Sequence, residues 1–114
     1  MSSQFVIKQK STWPPLEATL LQAGEPIDLS DATVHFVLAR ASNVNKIYRE
    51  AEIVGDATEG NVKFDWQEGD VEEAGVFYGE FHLDWGAGRK AIVPSKEREY
   101  ILVQIGTKLD KGEV

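Results

Sequence analysis

Trp66-Gln-Glu-Gly-Asp-Val-Glu-Glu-Ala-Gly-Val-Phe-Tyr-Gly-Glu-Phe-His-Leu-Asp-Trp85 is the stretch on which the reading of this chain turns. From Phe77 onward, Phe77, Gly79, Phe81, Leu83 and Trp85 share one side of an extended backbone, and Tyr78, Glu80, His82 and Asp84 share the other. A period of two marks a half-buried strand. Before it, Glu68, Asp70, Glu72 and Glu73 make a segment too polar for a core and too short for a helix with its own apolar stripe. That segment reads as a corner carrying the chain from one sheet to another, with Gly75 releasing it into the long strand.

Outward from this stretch the same alternation recurs in short runs. Phe5 to Lys8 is an apolar opening strand, and Trp13-Pro-Pro15 holds the backbone extended. Leu16, Ala18 and Leu20 alternate with Glu17 and Thr19, as on an edge strand with one face buried. Gln22 to Pro26 is a turn, and Ile27 to Ala32 is an irregular connection whose Asp and Ser side chains bond local amides. Thr33 to Arg40 is a strand with Val34, Phe36 and Leu38 inward and His35, Val37 and Ala39 on the reverse. Ala41 to Asn45 is a polar, exposed loop, and Ile47 to Val54 reads as one strand ended by Gly55-Asp56.

Beyond the turn at Thr58 to Asn61, Val62, Phe64 and Trp66 alternate with Lys63 and Asp65. On the far side of Trp85, Gly86-Ala-Gly88 closes a hairpin into Arg89 to Val93, which Pro94 ends. Tyr100 to Ile105 is the last strand, and the tail from about Thr107 has little to bury and frays. Only a single turn between Glu68 and Ala74 hints at helix. Several short strands with turn signals about every ten residues predict an all-β sandwich or barrel, its core filled by Phe36, Phe64, Trp66, Phe77, Phe81 and Trp85.

At 114 residues the chain makes one domain, 1–114, with one core. No apolar run approaches the roughly 20 residues of a membrane-spanning helix, and no leader-like start precedes Lys8, so neither a membrane partner nor export is expected. The absence of cysteine removes disulfides, thiolate nucleophiles and Cys-based metal sites, and leans toward synthesis in a reducing cytoplasm. A net charge of −7 repels phosphate backbones, and the one cationic concentration, Arg89, Lys90, Lys96 and Arg98, is diluted by Glu97 and Glu99. Nucleic acid is therefore not an expected partner.

The search for chemistry returns little. His35 and His82 both fall on the polar side of their strands, and in an immunoglobulin-like sandwich those strands belong to different sheets, so the two imidazoles are expected to point apart. Glu80, His82 and Asp84 alternate on one strand face; a metal site also needs ligands from a second element, and a solvated face accounts for the pattern. The acidic corner, Asp65, Glu68, Asp70, Glu72 and Glu73, offers oxygens suited to calcium without the spacing of an EF-hand loop. Gly86 and Gly88 have no helix behind them to cradle a phosphate, and no serine sits in a nucleophile elbow. No catalytic residue, metal or cofactor is predicted.

The run Asp70-x-x-x-Ala74-Gly75-Val-Phe77-Tyr78-Gly-Glu80-Phe81-x-Leu83 resembles the immunoglobulin-like N-terminal domain of phage baseplate upper proteins and of similar small tail and baseplate proteins. The likeness extends to Phe5-Val-Ile-Lys-Gln9, Pro15-Leu-Glu-Ala-Thr-Leu20, Ile27-Asp-Leu-Ser-Asp-Ala-Thr-Val34-x-Phe36 and Asp65-Trp66-Gln67-x-Gly69-Asp70, and so covers nearly the whole chain. These are fold markers. The resemblance implies an immunoglobulin-like antiparallel β-sandwich of about seven to eight strands and a structural role in a phage or prophage virion. It further implies other tail or baseplate proteins as partners, with a homo-oligomer left open. Two features depart from the pattern: the charged Ser95 to Glu99 segment, and the lack of a coiled-coil or receptor-binding segment after Ile105. On this reading Trp13, Pro14 and Pro15, with Asn43 and Asn45 of the Ala41 to Asn45 loop, form the candidate docking surface. Trp13 otherwise serves to cover one end of the core. A carbohydrate-binding or adhesion module on a virion or cell surface is the alternative, and it requires exposed aromatic platforms.

Overall fold

The computed structural model describes residues 4–40, 45–94 and 100–109. In chain order its strands are β1 Gln4–Lys8, β2 Leu16–Thr19, β3 Leu21–Gln22, β4 Glu25–Pro26, β5 Thr33–Ala39, β6 Asn45–Glu50, β7 Glu52–Ile53, β8 Asn61–Phe64, β9 Gly75–Gly86, β10 Arg89–Val93 and β11 Ile101–Gly106. Eight of these have four or more residues, and among the described residues the only helical piece is a 3-10 turn at Ala57–Glu59. The architecture is an all-β sandwich, as the alternation predicts.

The twelve-residue β9 is the spine of the larger sheet. Along one side it pairs with β5 from Tyr78 to Asp84; along the other it pairs first with β11, from Gly75 to Gly79, and then with β10, from Phe81 to Gly86. β6 extends the sheet beyond β5, and β1 extends it beyond β11. The ladders are antiparallel except at β1, which runs parallel to β11 with Gln4 opposite Leu102 and Lys8 opposite Gly106. A parallel neighbour needs a long connection, and here nearly the whole chain lies between the two strands. The smaller sheet has the order β2-β8-β7, and β3 and β4, two residues each, pair as a separate hairpin that begins at Leu21, one residue before the predicted turn at Gln22 to Pro26.

One expected strand is two. Ile47 to Val54 divides into β6 in the larger sheet and β7 in the smaller, and the switch falls at Ala51. Ala51 is buried and its amide donates to the Val34 carbonyl at 2.8 Å, so the chain changes layer without a loop. The acidic segment after Trp66 does what its polarity predicts and carries the chain from β8 in one sheet to β9 in the other, through turns rather than helix.

Between the layers lies one apolar cluster, to which both sheets contribute. Phe36 of β5 is its centre, with ring centroids 4.7 Å from Phe64, 5.1 Å from Phe81 and 6.1 Å from Trp66. Each such ring stabilises the fold by about 2–3 kcal/mol through burial. Tilted and edge-on pairing adds about 1 kcal/mol per contact. Gly79, between Phe77 and Phe81 on β9, is part of this packing: a Cβ there would stand 2.9 Å from Phe36 Cε1 and Cζ. Phe36 thus lies directly on the β9 backbone.

Local chemistry fixes the two sharpest turns. The β9–β10 hairpin has Ala87 at φ 54° and Gly88 at φ 80°, the positive pair that a two-residue loop between twisted strands requires. At the 3-10 turn, Asp56 accepts hydrogen bonds from the Thr58 amide at 2.9 Å and the Thr58 hydroxyl at 2.8 Å. Gly60 closes the turn at φ 72°, with the Leu20 carbonyl oxygen 2.8 Å from where a Cβ would be.

Candidate functional site

β1, β5 and β11 all end, and β6 and β9 begin, at the same end of the larger sheet, since Lys8 lies opposite Gly106, Ile105 opposite Gly75, Tyr78 opposite Ala39 and Ala39 opposite Asn45. The loop carrying Trp13 and the start of β6 at Asn45 therefore lie at one pole, together with the acidic crossover. Gln9 braces this pole: its amide donates to the Gly106 carbonyl at 2.8 Å, its side-chain nitrogen donates to the Glu72 carbonyl at 2.9 Å, and its side-chain oxygen accepts from the Lys108 amide at 3.2 Å. The Lys10 amide adds a bond of 3.0 Å to the Val71 carbonyl, and after the loop Leu16 enters β2 opposite Phe64.

On this braced loop Trp13 is 78% exposed, Pro14 is exposed and Pro15 is half-buried. Trp13 does not cover the core; that reading is corrected, because its side chain stands largely in solvent while residues of both sheets fill the cluster without it. Asn43 lies outside the described residues, and Asn45 is described only as the backbone start of β6.

The acidic crossover is less solvated than its composition predicts. Asp70 has only 11% of its side chain exposed and pairs with Arg49 at 2.7 Å, while Glu73 pairs with Arg40 at 2.9 Å. Among the described residues no group of three His, Asp or Glu side chains is arranged to hold a metal ion. No helix among them is long and apolar enough to cross a membrane.

The largest departure from expectation concerns the histidines. His35 and His82 are not in different sheets: β5 and β9 are neighbours, and the two residues stand directly opposite each other in the ladder. They share the outer face of the larger sheet, where the Tyr48 ring lies parallel to His35, centroids 4.8 Å apart and planes 5° apart, and edge-on to His82 at 6.3 Å. Glu80 reaches His82 Nε2 at 3.2 Å. Nothing in the chain order announces this cluster, because His35 and His82 are 47 residues apart in the sequence (82 − 35) and only the pairing of β5 with β9 makes them adjacent in space. The period-two reading does place His35 and His82 on outward faces, which is the signal that finds each singly.

The two outer faces differ in kind. That of the smaller sheet is polar, with Glu17 and Glu52 each opposite Lys63 and Thr19 opposite Asn61. That of the larger sheet exposes Val6, Tyr48, Val76 and Ile92. Layers, topology and faces together define a small all-β sandwich with a braced aromatic loop at one pole and an aromatic cluster on one sheet. No protein-family model matches the sequence, and no curated protein matches it. Among solved structures it is similar to the N-terminal domain of phage TP901-1 ORF48, with a TM-score of 0.58 and 14% identity over 96% of this chain and 86% of that one. At that identity the likeness is one of fold.

Proposed function

We propose that this chain is a structural component of a phage or prophage tail baseplate, an immunoglobulin-like assembly module that docks other virion proteins and performs no catalysis. The observation that carries the proposal is Trp13, held largely in solvent by a loop that is hydrogen-bonded to β11, to the crossover and to the segment after β11. A fixed, exposed tryptophan contributes large contact area at small entropic cost when a partner covers it. The fold shared with a phage protein supports the same reading, as does the resemblance of the Asp70 to Leu83 run to baseplate domains.

Mass spectrometry of purified virions of the parent phage tests the reading. The chain is expected at stoichiometric level in wild-type particles and strongly depleted from particles that carry Trp13→Ala. Particles that lack the wild-type chain would overturn the proposal.

A further inference from the structure

The outer face of the larger sheet holds a hollow of about 320 Å³, floored by His35 and His82 and bordered by Tyr48, Thr33, Asp84 and Lys90. We propose that this hollow is a saccharide-binding site that takes one neutral pyranose ring of a polysaccharide against Tyr48. This goes beyond the docking role and uses a different surface from the Trp13 pole.

Three features select that ligand class. First, the Tyr48 ring lines the hollow, is stacked on His35 and is 60% exposed, so it offers apolar ring surface to a ligand at the rim. The C–H face of a sugar ring packs on such a surface, and the stack on His35 fixes its angle. Second, the border mixes hydrogen-bond donors and acceptors: the Thr33 and Tyr48 hydroxyls, two imidazoles, the Asp84 carboxylate and the Lys90 ammonium. A ligand that both donates and accepts at successive carbons matches that mixture. Third, Asp84 and Lys90 line the hollow as one carboxylate and one ammonium, while Glu50 stands opposite His35 in the ladder and Glu80 contacts His82, so the charge on and next to the site is more acidic than basic. That balance disfavours phosphates and other anions. The open sheet face does not enclose a ligand, which disfavours an apolar cofactor.

The test is titration of the full chain with glucose, galactose, rhamnose, N-acetylglucosamine and the tetrasaccharide of each, read by calorimetry and by amide chemical shifts, with arginine amide as a cationic competitor. The expected result is saturable binding of at least one sugar with millimolar or tighter affinity, with shifts confined to residues around Thr33, His35, Tyr48 and His82. Tyr48→Ala and Asp84→Asn each weaken it by about tenfold or more, the cost of one good stacking or charged hydrogen-bond contact. Both side chains are exposed, so circular dichroism and melting temperature should match the wild type and exclude misfolding as the cause. Trp13→Ala should bind sugar normally, which separates this site from the docking pole. Silence across all the sugars, undiminished binding by Tyr48→Ala, or binding of arginine amide alone would overturn the proposal.

Discussion

Arg49 grips Asp70 with both arms of its guanidinium, Nη2 to Oδ2 at 2.7 Å and Nη1 to Oδ1 at 3.3 Å, and so ties the edge strand β6 to the crossover between the sheets. The same Arg49 donates to the Asp65 carbonyl at 3.2 Å and lies 4.7 Å from the Phe64 ring centroid, while Asp70 Oδ2 also accepts from the Gln67 amide at 2.7 Å. Removing the carboxylate leaves a half-buried cation and an amide without their acceptor. Asp70→Ala is expected to lower stability by about 2 kcal/mol, below the full value for a buried pair because Arg49 retains solvent access. Urea denaturation of the two chains checks this.

Trp66 presents an opposite case. Its side chain is buried, and Nε1 finds no hydrogen-bond partner among the described residues. Trp66→Phe discards that unpaired donor along with some ring area, and the two effects offset. The expected change is within about 1 kcal/mol, whereas Trp66→Ala should cost about 3–5 kcal/mol. Chemical denaturation of the three chains side by side measures the difference.

Gly79 and Gly60 tolerate no side chain, for different reasons. At Gly79 an added methyl meets the Phe36 ring, which can yield only by disturbing Phe64 and Phe81, so Gly79→Ala should destabilise by about 1–3 kcal/mol. At Gly60 the added atom meets the Leu20 carbonyl and the backbone is left-handed, so Gly60→Ala should cost at least as much. Thermal melts of both variants provide the check, with Gly24→Ala as the comparison for positive φ in open space.

Acid should act on the turns before the core. The amide and hydroxyl of Thr58 hold the Asp56 carboxyl below its ordinary value of 3.8, and the hydroxyl and amide of Ser30 do the same for Asp28. A carboxyl whose pKa is depressed in the folded state contributes stability that is complete above its unfolded value and is lost as pH falls through the folded one. The contribution is therefore full at neutral pH and fades below about pH 4. Asp56→Asn should flatten the acid limb of a stability-against-pH curve while leaving its slope between pH 5 and 8 unchanged.

Trp13→Ala should shift the melting temperature by no more than about 2 °C, because an exposed side chain with no core contact is worth under about 0.5 kcal/mol to folding. Differential scanning fluorimetry checks this half, and virion incorporation checks the other. A large loss of stability would show that Trp13 packs in solution.

Much of the sandwich is legible in the sequence because side-chain alternation is a local property. Phe77, Phe81 and Leu83 announce their burial within a few residues of one another, and the Gly86 to Gly88 hairpin is written in its own turn. What is not local is less legible. The layer change at Ala51 leaves no mark because no glycine or proline is needed for it, and only the Val34 carbonyl on another strand reveals it. The meeting of His35, Tyr48 and His82 depends on which strands become neighbours, and that is decided by the packing of Phe36 on β9. Trp13 is a third kind of case: its sequence context is the same whether it covers the core or stands clear, and only its exposure in the folded chain tells the two apart.

The parallel pairing of β1 with β11 has a mechanical consequence. The chain enters this ladder at Gln4 and leaves it at Gly106, at opposite poles, so tension drawn through the two ends slides one strand along the other. All five rungs then resist together instead of opening one by one like a zipper. Pulled in this way, the ladder is loaded in shear rather than peeled from one end.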